Sequence, residues 1–296
     1  MTDLAIARLS DRALIRLSGP DAQHFLQNLV TADIGEADRT GAASAALLTP
    51  QGKILFDFLI YKDGEDYLLD SPAETAADLL KRLTFYRLRA KFELVALGED
   101  VGVFATWGAA VEPDAALLTV NDPRLAALGQ RIVGPVAALE DAFSSSLTSL
   151  ADYDAHRIRL GVPEGLKDFD YSDVFPHDAD LDQLGGVSFR KGCFVGQEVV
   201  SRMQHRGTAR KRFVRIISET PLPEKGTSVT VDGKSVGTLG SSATFGGTSA
   251  GLALLRLDKV HQAKDNGSPL HCGDALIQVE IPDWATFTWP EQSAAD

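Results

Sequence analysis

Only two cysteines and two methionines occur among 296 residues, and no apolar run approaches the ~18 residues that cross a bilayer. So few thiols exclude a disulfide framework and point to a soluble, reducing compartment. Cys193 and Cys272 stand 79 positions apart. One chain therefore cannot supply four thiolates to an iron–sulfur cluster or a structural zinc; a cluster held through cysteine would need a second protomer, histidines or an exogenous thiol. The N-terminal MTDLAIARLSDRALIRLSG has charges every few residues and no continuous apolar core, so it is not read as a secretory signal. The expected location is cytoplasmic, or the mitochondrial matrix in a eukaryote, although no transit peptide is read. Phosphate-loop, dinucleotide-fingerprint, HExxH and CxxC signatures are missing. Net charge of -12 argues against a direct nucleic-acid partner. No membrane partner is expected, and the chain is read as a monomer.

What is present is ordinary globular material, 44% apolar and 24% charged, enough for about two domains. Ala13–Leu17 alternates and ends at Ser18-Gly19-Pro20, the pattern of a strand closed by a turn. Ala22, Phe25, Leu26, Leu29 and Val30 then share one helix face, leaving His24 and Gln27 to solvent. Ala42–Leu48, Ile54–Tyr61 and Tyr67–Leu69 read as a meander. Ser71 is the expected cap of a helix with Pro72 at its first position and Glu74 at its third. Lys91–Leu97 and Val101–Thr106 add strands, giving an α+β layout with a largely antiparallel sheet. Val136–Ser149 is a connection, and Leu150–Leu160 a helix.

Beyond Arg212 the pattern changes. Phe213–Ile217, Ser228–Val231, Ser235–Leu239, Gly251–Leu257 and Ala275–Ile281 are short strand candidates between tight turns, as in a small β-barrel or sandwich. The expected division is 1–209 and 210–296.

The remaining feature is RKGCFVGQE, Arg190–Glu198. Lys191 stands two residues from Cys193, Gly192 permits close backbone approach, and the following GQEVVSRM suits a helix whose N-terminal dipole lowers a thiol pKa. Residue by residue, a functional thiol and an inert packed one both remain open. From Arg190 to Arg215 eight bases face one acid, a local +7 that leaves -19 for the rest. That cluster is either a solvated run or an anion site. His156, His177, His205, His261 and Cys272 have no convergent metal spacing, and the three tryptophans are read as local packing.

The stretch FPHDADLDQLGGVSFRKGCFVGQEVVSRMQHRGTARKR resembles the signature of the YgfZ family, whose hallmark K-G-C-[YF]-x-G-Q-E is matched from Lys191 to Glu198. The downstream R-x(3)-R-G element is present as Arg202, Arg206 and Gly207. LSGPDAQHFLQNLVTADI and LLTPQGKILFDFLIY resemble the family's N-terminal segments, so the likeness runs from about residue 10 to 257. It implies a ring of two α+β folate-binding subdomains and a C-terminal β-barrel, related to the glycine-cleavage T-protein and acting in iron–sulfur protein maturation. Implied ligands and partners are tetrahydrofolate and iron–sulfur client or assembly proteins. Cys193 and Lys191 would carry the chemistry, and Gly192, Gly196, Gln197, Glu198, Arg202, Arg206 and Gly207 would bind. The arginines would hold the anionic folate tail. Where the T-protein has an Asp-Asp-Leu-Ile segment this chain has Asp57-Phe58-Leu59-Ile60, and Phe175-Pro176-His177-Asp178 resembles its Pro-Val-Glu site. Asp57 and Asp178 are thus candidate folate contacts. The T-protein lacks RKGC, which argues against glycine cleavage. A folate-dependent one-carbon transferase and a non-catalytic folate-sensing adaptor remain alternatives, so whether the chain is an enzyme stays open.

Overall fold

The computed structural model describes residues 4–207 and 209–290. They form two compact units, one taking the chain up to Tyr153 with Leu184–Val199, the other Asp154–Gln183 and the residues from Val200 on.

The first unit begins with strands β1 (Ala5–Arg8) and β2 (Arg12–Ser18) and helices α1 (Ala22–Leu29) and α2 (Ile34–Thr40). There follow β3 (Ala42–Leu48), β4 (Ile54–Asp63), β5 (Asp66–Pro72), α3 (Ala73–Tyr86), β6 (Glu93–Ala96) and β7 (Val101–Trp107). Next come β8 (Leu118–Asn121), β9 (Gln130–Pro135), α4 (Val136–Ala142) and β10 (Leu147–Thr148). One antiparallel sheet runs β3-β4-β5-β2-β6, and the other runs β10-β1-β7-β9-β8 with β1 and β10 parallel. The period-2 alternation of the second sheet buries both faces. Ala7, Val103, Ala105 and Val133 pack against Leu14, Leu59, Tyr61 and Leu68 of the first sheet. Ile6, Phe104 and Ile132 point the other way, onto Leu139 and Phe143.

Between the sheets lies a buried polar knot. Arg131 Nε donates to Asp122 at 3.0 Å and its Nη2 to the Tyr153 hydroxyl, while Arg124 also donates to Asp122. Burial pushes the Asp122 carboxyl up, but Arg124 and Arg131 outweigh it and hold the group down at about 2.

Three expectations in the first unit need correction. Val136–Ser149, expected as a connection, holds the helix α4, which buries Val136 and Leu139, and the short strand β10. Strand β5 runs on through Ser71, and Pro72 pairs with Arg12, so Pro72 is the cap residue of α3 and Glu74 its second residue. Gln27 is not turned to solvent. Its amide caps α2 instead, accepting from Ile34 N at 2.7 Å and donating to Asp33 at 3.2 Å.

The chain passes from one unit to the other within helix α5 (Leu150–Leu160), between Gln183 and Leu184, and within helix α6 (Gln197–Arg206). The second unit is a closed barrel of β11 (Lys211–Ser218), β12 (Ser228–Val231), β13 (Lys234–Phe245), β14 (Thr248–Arg256), β15 (Leu270–Cys272) and β16 (Ala275–Glu280). Its order is β11-β14-β13-β12-β15-β16, and β16 returns to β11 at Arg215–Glu280. Closure leaves no free edge, which decides barrel over sandwich. Leu257 leaves the β14 ladder because its N–H bonds the Arg210 carbonyl and opens α7 (Leu257–Asn266). Leu257, Val260 and Ala263 then join the barrel core with Val214, Ile216, Leu255 and Val279. The tryptophans reach further along the chain than expected: Trp284 Nε1 donates to the Leu160 carbonyl at 2.7 Å, and Trp107 packs on Tyr153.

Candidate functional site

The RKGC loop belongs to the first unit and is built onto the end of α1. Three consecutive carbonyls, of Val30, Thr31 and Ala32, are all captured by it. The Thr31 carbonyl accepts from Ser188 N at 2.9 Å. The Lys191 ammonium donates to Val30 O and Ala32 O, each at 2.6 Å. Thr31 is a buried hub: its hydroxyl donates to Gly186 O at 2.6 Å and accepts from Ala46 N at 2.8 Å, so β3 and the loop share one side chain. A buried hydroxyl with both roles filled fixes position as well as energy.

Lys191 is thus turned inward. Burial lowers its ammonium to about 8, with Asp33 pulling the other way. The same ammonium lies 5.5 Å from the ring centre of Phe194, which is buried. Cys193, between them in sequence, is exposed, as are Arg190 and Gly192. Lys191 and Phe194 therefore pin the two ends of a short segment whose middle presents the thiol. Cys272 has the opposite setting, fully buried in the barrel, where burial pushes its thiol up.

The two motif glycines differ. Gly196 has φ +78°, and a Cβ there would lie 2.6 Å from the Thr49 carbonyl and 2.9 Å from Gly52 Cα. It is demanded by the Thr49–Gly52 turn packed against it. Gly192 meets nothing within 4 Å and is not in the left-handed region. Gln197 and Glu198 open α6, so Cys193 lies four residues before that helix. Beside the loop, β3 and residues 185–190 border a cleft of about 480 Å³ whose lining includes Asp33, Glu36, Ser44, Ser188 and Arg190. Asp57 lies on β4 opposite Ala46, partly buried.

Asp178, Arg202, Arg206 and Gly207 fall in the second unit. Asp178 accepts from Phe175 N at 3.0 Å, and its carboxyl is raised by burial, against the pull of that bond, Lys211, Arg212 and His177. The neighbouring Asp180 is buried at φ +57°. Arg212 clamps this turn. Its guanidinium donates to His177 O at 2.7 Å, to Asp180 at 3.3 Å and to both oxygens of Asp182 at 2.5 and 3.0 Å. Arg202 and Arg206 are exposed on α6, and Gly207 at φ +58° ends that helix in the left-handed conformation such ends favour. The basic stretch is therefore not one continuous anion surface, because Lys191, Arg212 and Arg215 are each tied to oxygens of the protein. Sequence reasoning missed Thr31 and the Arg212 clamp. The only cue to Thr31 was its place in LVTADI.

Residues 210–287 match the model of the CAF17 C-terminal beta-barrel domain. The chain is 31% identical to the human protein named iron-sulfur cluster assembly factor IBA57, mitochondrial, over 98% of this chain and 86% of that one. It is 33% identical to the Neurospora crassa homologue over 73% of this chain, where it spans about half of the longer fungal protein, 54%. In fold it is similar to the glycine cleavage system aminomethyltransferase T from Bartonella henselae, with a TM-score of 0.74 at 18% identity, covering 94% of this chain and 85% of that one. An aminomethyltransferase-T-like α+β fold, a barrel of the CAF17 type and relatives along its whole length agree: the chain belongs to the family of IBA57 iron–sulfur cluster assembly factors.

Proposed function

We propose that this protein is an accessory factor in the assembly, maintenance or repair of iron–sulfur proteins, and that it acts through Cys193 of the K-G-C-x-G-Q-E segment. The observation that carries the reading is the pairing of an exposed Cys193 with an inward, doubly bonded Lys191. A loop pinned at both flanks offers its thiol without ordering cost, which suits brief ligation of iron, cluster or sulfur as cargo. One thiol makes an incomplete ligand set, so the client or assembly partner would supply the rest. The relatives are named as mitochondrial, which favours the matrix over the cytoplasm as the working compartment.

Tetrahydrofolate is the proposed small ligand, as the YgfZ-type hallmark implies. The residues fit it in kind. Asp178 is a half-buried carboxyl whose protein bond is to Phe175 N–H, and burial favours its neutral form. Such a group both donates to and accepts from a pteridine edge. Asp57 is a second proposed contact, and exposed Arg202 and Arg206 suit the carboxylates of the tail. When bound, folate would supply a one-carbon acceptor or donor. Gly192, Gln197, Glu198 and Gly207 remain proposed parts of the site.

The test is rescue of cells lacking their own factor. Expression of the unaltered chain should restore iron–sulfur enzyme activity, and a soluble, folded chain that restores none would overturn the assembly reading. Titration with tetrahydrofolate tests the ligand separately. Binding lost in Asp178→Asn supports the assignment, and no binding by the unaltered protein removes folate from the account.

A further inference from the structure

Residues Lys81–Lys91, KRLTFYRLRAK, carry five bases and no acid in a chain of net charge -12. They form the last turns of α3 and the loop into β6, within the first unit. All five bases are exposed, and among the described residues none of their side chains forms an ion pair, although the Lys91 main-chain N–H donates to the Asp21 carboxylate at 2.7 Å. Elsewhere the prominent arginines are paired, as Arg12, Arg131, Arg157 and Arg212 show. Arg87 is held locally, its Nε donating to the Ala90 carbonyl at 3.3 Å and its guanidinium lying over the Phe92 ring; the other bases, standing together without counter-ions, repel one another.

Two large apolar side chains stand among them. Phe85 is 73% exposed and Leu88 90% exposed. Leu88 also holds φ +46°, a left-handed conformation that a leucine adopts at a cost. A strained leucine turned almost wholly to water serves no packing purpose, and such outliers gather at working surfaces. Beside it lies a shallow groove of about 820 Å³, bordered by Pro20, Thr84, Arg87, Lys91 and the buried Phe92. The groove reaches β6, the edge strand of its sheet, at the exposed Glu93, and Val95 farther along that strand is half exposed.

We propose that Lys81–Lys91 and this groove dock an acidic segment of a partner protein. Its carboxylates pair with Arg82, Arg87, Arg89 and Lys91, and one of its apolar side chains seats against Phe85 and Leu88. Charge decides the class of partner. Outside the patch the chain carries -17, that is -12 less the local +5. A long nucleic acid or an anionic bilayer extends past the patch over that acidic remainder, whose repulsion acts across about one Debye length, ~8 Å at physiological salt. A short acidic protein segment does not. This surface is independent of the Cys193 reading and stands or falls without it.

The test uses the full chain and fluorescence anisotropy with a labelled peptide alternating Glu or Asp with Leu or Phe. A charge-matched peptide with Ser in place of the apolar residues, phosphatidylglycerol vesicles and single-stranded RNA are the comparisons. The apolar acidic peptide should bind most tightly and weaken as salt rises. Arg82→Glu with Arg89→Glu should weaken it about tenfold or more. Leu88→Asn should weaken binding while holding or raising Tm, because Asn tolerates positive φ; a structural role for Leu88 would lower Tm instead. Equal binding of the Ser peptide, tighter binding of vesicles or RNA, or unchanged affinity in both variants would overturn the proposal.

Discussion

The Lys191 ammonium lies 2.6 Å from the carbonyl oxygen of Ala32, a residue 159 positions earlier in the chain. With the equal bond to Val30 O, this makes Lys191 the anchor of the loop that presents Cys193. The lysine that precedes the cysteine in the motif thus serves first to place it.

That anchor has a pH signature. Burial puts the Lys191 ammonium at about 8 in the folded protein, against about 10.4 in an unfolded chain. Between those values the unfolded state binds more protons, so this group's contribution to stability rises with pH and is lost as pH falls through about 8. Urea unfolding of the unaltered protein and of Lys191→Met should diverge over that window, the unaltered protein gaining on the variant. The buried tyrosines act in the opposite sense but are common to both. Parallel curves would refute the inward lysine.

At the acid end the sign is the same, stability again rising with pH, but the group is a carboxylate. Asp122 sits at about 2, below an ordinary carboxylate, because Arg124 and Arg131 overcome its burial. Its contribution is complete above about pH 4 and disappears as pH falls toward 2. Asp122→Asn should lower stability at pH 7 by roughly 3–5 kcal/mol, since it strips the charge partner from buried Arg131. It should also flatten the acid limb of a stability–pH curve.

The motif glycines separate fold from function. Gly196→Ala forces a Cβ to within 2.6 Å of Thr49 O at a left-handed φ, and should cost about 1–3 kcal/mol in chemical denaturation. Gly192→Ala meets open space and should stay within about 0.5 kcal/mol of the parent. Loss of rescue in Gly192→Ala with stability intact would mark that position as a contact for cargo or partner.

Thiol labelling under native conditions should be confined to Cys193. Cys272 is enclosed by the barrel core and should label only when the barrel opens. Mass spectrometry after a brief pulse of maleimide distinguishes the two, and rapid labelling of Cys272 would contradict the closed barrel.

Local pattern carried much of the architecture. Ala42–Leu48, Leu150–Leu160 and Ser228–Val231 lie where turn residues and alternation put them, to the residue. β1, β8 and β9 escaped notice for a physical reason. They are short or carry polar side chains such as Gln130 and Arg131, and Arg131 is tolerated inside only because Asp122 and Tyr153 meet it there. The thiol and the lysine of the site were legible from RKGC. Their support was not, because it consists of backbone carbonyls at 30–32, which any residues provide. The basic run after the motif misled in part: Arg212 is an internal clamp on Asp180 and Asp182, a role visible only once the barrel strand lies beside that turn.

The most direct measurement is rescue by Cys193→Ala at matched abundance in cells lacking their own factor, read as iron–sulfur enzyme activity. The account predicts a stable, folded variant that restores little or none of the activity, with Lys191→Ala impaired as well. Full rescue by both variants would contradict it.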